Sequence, residues 1–326
     1  MPFAPGEYVG PYKIIEQLGH GGMATVWKAY HALLDRYVAI KVLHPVFVDD
    51  AAFLERFHKE AKIVARLVHP YIVPVYDFSE EGGKPYLVMR YVEGETLKTV
   101  LRRGPLPLRR TLEVLRLTGE ALAYAHGQGV LHRDIKPSNI METPEGDVFL
   151  ADFGLARMME DVDAAFSRDM VVGTPQYISP EQARGEELDR GTDIYSMGVV
   201  LFEMLTGRVP FEGDTAQAII RDQILSPPPR PSRFAPTIPE TVERVVLKAL
   251  AKERGDRYRS VEEMMAALGS VAQEGALPWP ERAFMAPQAV SELPRGRRRR
   301  FPWLILALLL LVLCSCSTLL WFLWRG

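Results

Sequence analysis

The chain has 326 residues, 48% apolar and 25% charged, a balance that excludes a disordered polypeptide and accommodates one large two-lobed domain or two ordinary ones. Acidic and basic side chains nearly cancel to a net charge of −2, which excludes bulk attraction to nucleic acid. Its two cysteines, Cys314 and Cys316, both lie in one apolar stretch near the C-terminus, so no disulfide is expected to brace the remainder, as suits a reducing cytosol.

The opening MPFAPGEYVG has neither a charged n-region nor an apolar core, and no cleavable signal peptide is expected. Residues 12–30 read as two strands around a Gly-rich turn, Gly19-His20-Gly21-Gly22-Met23-Ala24, and the β-branched run Tyr37–Val42 as a third. From 51 to 68, apolar residues at Phe53, Leu54, Phe57, Ala61, Val64, Ala65 and Val68 follow helical spacing, and His69-Pro70 ends the run. Two further strands are expected around Val73–Phe78 and Tyr86–Tyr91, with Gly82-Gly83 turning between them. Beyond residue 95 the pattern becomes helical, at Leu97–Arg102, Leu108–Gln128, Asp193–Thr206, Thr215–Ile224, Glu240–Leu250 and Val261–Ala272. Residues 272–300, rich in Pro and then Arg without a helical stripe, read as a linker.

Two runs carry the chemistry. His132–Asn139 reads HRDIKPSN, and thirteen residues past Asn139 comes Asp152-Phe153-Gly154. An acid, a lysine, an amide and a second acid at these spacings suit phosphoryl transfer. With the Gly-rich loop, Val38-Ala39-Ile40-Lys41 and Gly173–Glu181 (GTPQYISPE), the chain resembles the protein kinase family over roughly residues 12–271, and within it the bacterial eukaryotic-like (Hanks-type) serine/threonine kinases.

The resemblance implies an α+β fold with a small β-rich N-lobe (12–91) and a larger helical C-lobe (95–271). It implies that Asp134 orients the acceptor hydroxyl and takes its proton, that Lys136 neutralises the moving phosphoryl group, and that Asn139 and Asp152 hold Mg²⁺, with Mn²⁺ as the alternative. ATP is expected against Leu18, Gly19, His20, Gly21 and Gly22, whose glycines let backbone N–H groups approach phosphate oxygens. Lys41 is expected on the α- and β-phosphates, fixed by Glu60. Val26 and Ala39 would cover one face of adenine and Met141 the other, with Met89 as gatekeeper and Tyr91 and Val92 as hinge. Three departures stand out: Ala24 occupies the place of the loop's third glycine, Arg90 stands where many relatives carry an acidic residue, and Ser179 replaces the usual Ala before Pro180-Glu181. Glu181 is expected to pair with Arg257, and Asp193 to hold the catalytic loop. Lys136 and Thr174 follow the Ser/Thr-directed pattern, so protein Ser and Thr hydroxyls are the expected acceptors. Ser167 is the expected activating phosphosite, gripped by Arg133, with Thr174 as the alternative.

Phe301–Trp324 is uncharged over 24 residues, long enough at about 1.5 Å per residue to cross a bilayer core of about 30 Å. Arg295 and Arg297–Arg300 precede it, and Trp303, Trp321 and Trp324 lie near its ends. A single transmembrane helix (301–324) with the N-terminal domain in the cytoplasm is therefore expected, the protein sitting in the cell membrane and homodimerisation through the span left open. The competing reading is a membrane-anchored pseudokinase scaffold.

Overall fold

The computed structural model describes residues 3–22, 24–44, 51–153 and 175–274, with backbone alone at 51–53 and 271–274. Ser167, Thr174, Gly154, residues 301–324 and the linker from residue 275 onward lie outside the described residues, while residues 272–274, expected in the linker, continue the last helix instead.

Strands β1 (Tyr8–Val9), β2 (Tyr12–His20), β3 (Ala24–His31), β4 (Arg36–Leu43), β5 (Val75–Glu81) and β6 (Lys84–Arg90) form an antiparallel sheet ordered β1-β2-β3-β4-β6-β5. Successive side chains on a strand alternate faces, so register decides which residues meet. Lys41 lies opposite Val26 and Leu87, and Ala39 opposite Met89, which sets these residues on one face. The other face carries Trp27, Val38, Ile40, Val42 and Val88 into a separate core. The apolar run around Lys41 is thus buried on both sides.

Helix α1 (Ala51–Val64) covers the first face through Phe57 and Ala61. It is shorter than its apolar stripe predicts. Past Val64 the bonds tighten, Arg66 N–H donating to Ile63 O and Leu67 N–H to Val64 O, and Val68 ends 74% exposed. A chain turning down toward Pro70 has left the α-helical register, so Val68 belongs to no stripe. Strand β5 likewise begins at Val75, two residues later than the apolar run suggests.

The helical part is built around α3 (Leu108–Gly127) and a later helix, Arg190–Thr206. Strand β7 (Glu95–Thr96) and the short helix α2 (Leu97–Leu101) precede α3; β8 (Ile140–Glu142) and β9 (Val148–Leu150), which join β7 in a three-stranded ribbon, and the five-residue helix α4 (Pro180–Arg184) follow it. Arg190–Thr206, α5, has 13 of its 17 residues buried, the mark of a helix inside the core rather than on it. Asp189 caps its first turn through Gly191 N–H, and Gly207 in the left-handed region (φ 75°) ends it. A Cβ at Gly198 would lie 2.8 Å from that of Ala249, so glycine lets α5 meet helix α7 (Glu240–Ala249) closely. Helices α6 (Ala216–Leu225) and α8 (Val261–Glu274) complete the layer.

Candidate active site

The run His132–Asn139 hangs from one buried carboxylate. Asp193, wholly buried in the first turn of α5, accepts from the backbone N–H of His132 (2.8 Å) and of Arg133 (2.7 Å) and from His126 Nε2 (2.7 Å). Burial alone would push its carboxyl up, but these donors and the neighbouring imidazoles hold it below the usual carboxylate range. His132 is wholly buried too, and burial holds its imidazole below the ordinary 6.5 despite the carboxylates of Asp193 and Asp134. It is therefore neutral at pH 7. Its Nε2–H donates to Ala151 O (2.8 Å), Nδ1 accepts from Asp134 N–H (3.2 Å), and its ring packs on Phe153 at 4.6 Å. One histidine thus ties the HRD run to the DFG run.

Two residues of the site hold backbone that L side chains rarely adopt, Arg133 at φ 67° and Asp152 at φ 63°. Such conformations cost on the order of 1–3 kcal/mol each and persist only where surroundings over-determine them. At Arg133 both sides do so: its N–H is held by Asp193 and its carbonyl accepts from Gln182 Nε2 (2.8 Å). Gln182 is itself fixed by a reciprocal cap with Ser179 at the start of α4.

Asp134 follows, its carboxylate meeting Lys136 Nζ at 2.7 Å and accepting from Asn139 Nδ2 at 3.0 Å. The same amide also donates to Asp134 O (2.8 Å), so Asn139 closes the loop on itself. Strands β8 and β9 then bring the second acid alongside, because Ala151 N–H donates to Asn139 O (2.8 Å) just beyond the pair Ile140–Leu150. Asp152 is met across the cleft by Lys41 Nζ at 2.9 Å. Burial works to raise its carboxyl, and Lys41 together with His132 and Lys136 more than reverses that, so Asp152 is held as carboxylate.

This donor set fits a hard divalent cation: Asp152 is kept charged, and Asn139 commits its NH₂ to Asp134, with no hydrogen bond to its Oδ1 among the described residues. The Gly-rich turn fits a phosphate chain for a different reason. A Cβ at Gly19 would meet nothing within 4 Å and one at Gly21 only Ala24 O at 3.6 Å, so packing within the chain does not demand either glycine. His20 is anchored instead, its Nδ1 3.0 Å from Thr25 Oγ1 and its ring stacked on His44 at 4.8 Å. Leu18 is 44% exposed at the lip.

The residues expected around adenine converge as well. Val26, Ala39, Met89, Val92 and Met141 share one apolar cluster under the sheet. Tyr91 lies beside it with Lys28 Nζ over its ring at 4.5 Å. Behind Met89 a cleft lined by Val64, Val75 and Leu87 reaches Asp152 and Phe153. Glu60 is buried on α1, and Lys41 forms an ion pair with Asp152. Sequence patterns miss Gly94, where a Cβ would sit 2.2 Å from Glu142 O. Only glycine lets the chain past Val92 lie against β8. The signal is a glycine flanked by acids, too common to single out.

Arg257 and Glu181 form a bidentate pair at 2.7 and 2.8 Å with both side chains essentially inaccessible. Tyr177 OH donates to Glu203 (2.6 Å), and Tyr177 O accepts from Ser196 Oγ (2.7 Å), which seats Pro175–Tyr177 on α5. Thus the described residues bring together Asp134, Lys136, Asn139, Asp152 and Lys41, and fasten beside them the segment that ends at Glu181.

Comparison with known proteins shows the family. A family model described as the protein kinase domain matches residues 12–267. The chain is 42% identical over 258 residues to the serine/threonine-protein kinase PrkC of Bacillus subtilis (strain 168), covering 79% of this chain and 40% of that protein. It is 43% identical over 257 residues to the serine/threonine-protein kinase PknA of Mycobacterium tuberculosis, covering 77% of this chain and 59% of that one. The chain therefore spans about two fifths to three fifths of the length of these relatives. Among solved structures, the PknI kinase domain of Mycobacterium tuberculosis superposes with a TM-score of 0.66 at 28% identity, covering 83% of this chain and 99% of that one.

Proposed function

The chain belongs to the protein kinase family, and from that premise we propose that it transfers the γ-phosphoryl group of ATP to Ser and Thr hydroxyls of proteins, itself among them, at the cytoplasmic face of a membrane. One arrangement carries the reading: Asp134, held by Lys136 and Asn139, stands on a loop suspended from Asp193, with Asp152 drawn to Lys41 beside it.

The acceptor hydroxyl approaches Asp134, which orients it and takes its proton as the new O–P bond forms. The bond from the γ-phosphorus to the bridging oxygen breaks, and ADP leaves with that electron pair. Lys136, 2.7 Å from Asp134, balances charge on the moving phosphoryl group. Asn139 and Asp152 would hold the divalent cation, Mg²⁺ or Mn²⁺, which when bound neutralises the phosphate oxygens. Lys41 reaches the α- and β-phosphates by exchanging Asp152 for them, and Glu60 receives it on the α1 side. Val26, Ala39 and Met141 sandwich adenine, and the Tyr91–Val92 backbone reads its edge.

Location and regulation follow from the segments flanking this core. The uncharged run 301–324 behind an arginine cluster is a membrane span, with residues 275–300 as its linker and pairing of spans as a route to a homodimer. Ser167, or else Thr174, receives the activating phosphate.

The test is the full chain in detergent with ATP and Mg²⁺, beside Asp134→Asn, with phosphosites mapped by mass spectrometry and both proteins fractionated after expression. Phosphoserine and phosphothreonine in the wild type, reduced by about 10²-fold or more in the variant, are expected, because a positioned general base contributes that much. Both proteins are expected in the membrane pellet. ATP binding without transfer by either protein would leave the scaffold reading, and recovery in the soluble fraction would sink the anchor.

A further inference from the structure

Beneath the segment Pro175–Tyr177 lies a buried chain of polar groups that the reaction itself does not use. Gln223 on α6 is wholly buried, and its Nε2 donates to the carbonyls of Gln176 (2.5 Å) and Pro175 (3.3 Å). Its Oε1 accepts from Tyr195 OH on α5 (2.5 Å), also wholly buried. Lys252, just after α7, donates from Nζ to Tyr195 OH (3.1 Å), Gln223 O (2.7 Å) and Asp222 O (3.2 Å), and lies 4.2 Å from the centre of the Phe211 ring. All three ammonium protons have acceptors.

The chain has a direction. An ammonium has no lone pair, so Lys252 can only donate to Tyr195. That occupies a lone pair of the hydroxyl and turns its proton to Gln223. The Gln223 amide must then meet Tyr195 with its oxygen and the two carbonyls with its NH₂. Reversing the amide would set an oxygen against two carbonyl oxygens, which is repulsive. The charge on Lys252 thus decides, two bonds away, whether the amide that holds Pro175 and Gln176 is fixed at both of its ends.

We propose that Lys252 is a positioning residue for the protein substrate: through Tyr195 and Gln223 it fixes the Pro175–Gln176 backbone on which the acceptor peptide docks. The inference rests on reading Gly173–Glu181 as the substrate-docking segment of a kinase. A lysine here titrates within reach of ordinary buffers. Burial, reinforced by the charge of Arg257 and more weakly of Arg184 and opposed by Asp222, lowers it from 10.5 to about 8. Glu181 faces the same cluster but is committed to Arg257, and Tyr195 is itself pushed up by burial, so Lys252 is the group that changes between pH 7 and 9. A neutral amine carries a lone pair and can accept from Tyr195, which draws the hydroxyl proton away from Gln223 Oε1 and leaves the amide held at its NH₂ end alone.

The experiment measures KM for dephosphorylated casein and for ATP, separately, from pH 6.5 to 9.5, with the full chain in detergent. Wild type is compared with Lys252→Met and with Tyr195→Phe, which keeps the ring and cuts only the relay. In the wild type, KM for casein rises as pH passes about 8 while KM for ATP stays level. Both variants start with a casein KM raised by about tenfold, the worth of one or two net hydrogen bonds, and their pH profiles are flat. A wild-type casein KM that is flat through pH 8, or variants that move both KM values together, overturns the inference. Wild type that labels neither casein nor itself overturns the kinase reading and takes this inference with it, whereas a labelling enzyme with a flat profile removes the inference alone.

Discussion

Arg257 shows how much a single side chain can hold. Its five N–H donors go to Glu181 twice, Gly191 O, Ala251 O and Lys252 O. Glu181 in turn accepts from Thr192 Oγ1 (2.9 Å). Removing one partner of such a pair leaves the other charged, buried and alone. Arg257→Met is therefore expected to lower unfolding stability by about 3–5 kcal/mol, measurable by urea titration; a loss below about 1 kcal/mol, the scale of an exposed pair, would refute the assignment. The same pair predicts an acid limit. Burial raises the Glu181 carboxyl, but Arg257, its own backbone N–H and Thr192 carry it below the ordinary 4.5. Its stabilisation is then complete above pH 4.5 and lost as pH falls through the lower folded value. Thermal midpoints of wild type should drop below pH 4.5 more steeply than those of Arg257→Met.

At the scale of elements, the site depends on backbones that approach one another where a side chain would intervene. Gly94 lets the stretch after Val92 lie on β8, and β8 carries Met141 and, at its start, follows Asn139. Gly94→Ala must push β7 from Glu142, shifting the floor of the proposed adenine site. A rise of about tenfold or more in KM for ATP is expected, on the scale of a group misplaced by about an ångström, with KM for casein little changed; an unchanged KM for ATP would show that the strand yields at no cost. These dependencies explain which elements can be read from sequence. Long periodic stretches such as α3 and α5 are legible, as are Asp134, Lys136, Asn139 and Asp152, because they sit in two contiguous runs. The strands β7 to β9 are two or three residues long, too short to show a period of two. Helix α1 ends before its apolar stripe does, since Ala65 and Val68 continue the spacing by composition alone. Gln182, Gln223, His126 and Lys252 escape notice because each looks like a surface residue until the fold buries it or closes a hydrogen bond on it.

Across the whole molecule, strength and strain are kept apart. The helical part contains one large core running from Leu112 through α5 to Leu268, while the sheet is divided between two smaller ones on its opposite faces. The left-handed residues Arg133 and Asp152 lie where these parts meet, and the bonds that constrain them lead back into the larger core through Asp193 and His132. No helix among the described residues is long and apolar enough to cross a membrane, so the proposed anchoring rests wholly on 301–324. The grip of Asp193 on two backbone amides has a further consequence, visible in deuterium rather than in phosphate. The N–H groups of His132 and Arg133 are bonded to a carboxylate at 0% exposure on the most buried helix, so no local fraying releases them. In heavy water these two loop amides should exchange as slowly as the interior of α5, on the clock of global unfolding, while the glycine turn 19–22 exchanges early. A loop that behaves isotopically as core is how an irregular stretch of chain can present a reactive acid without ever being a mobile one.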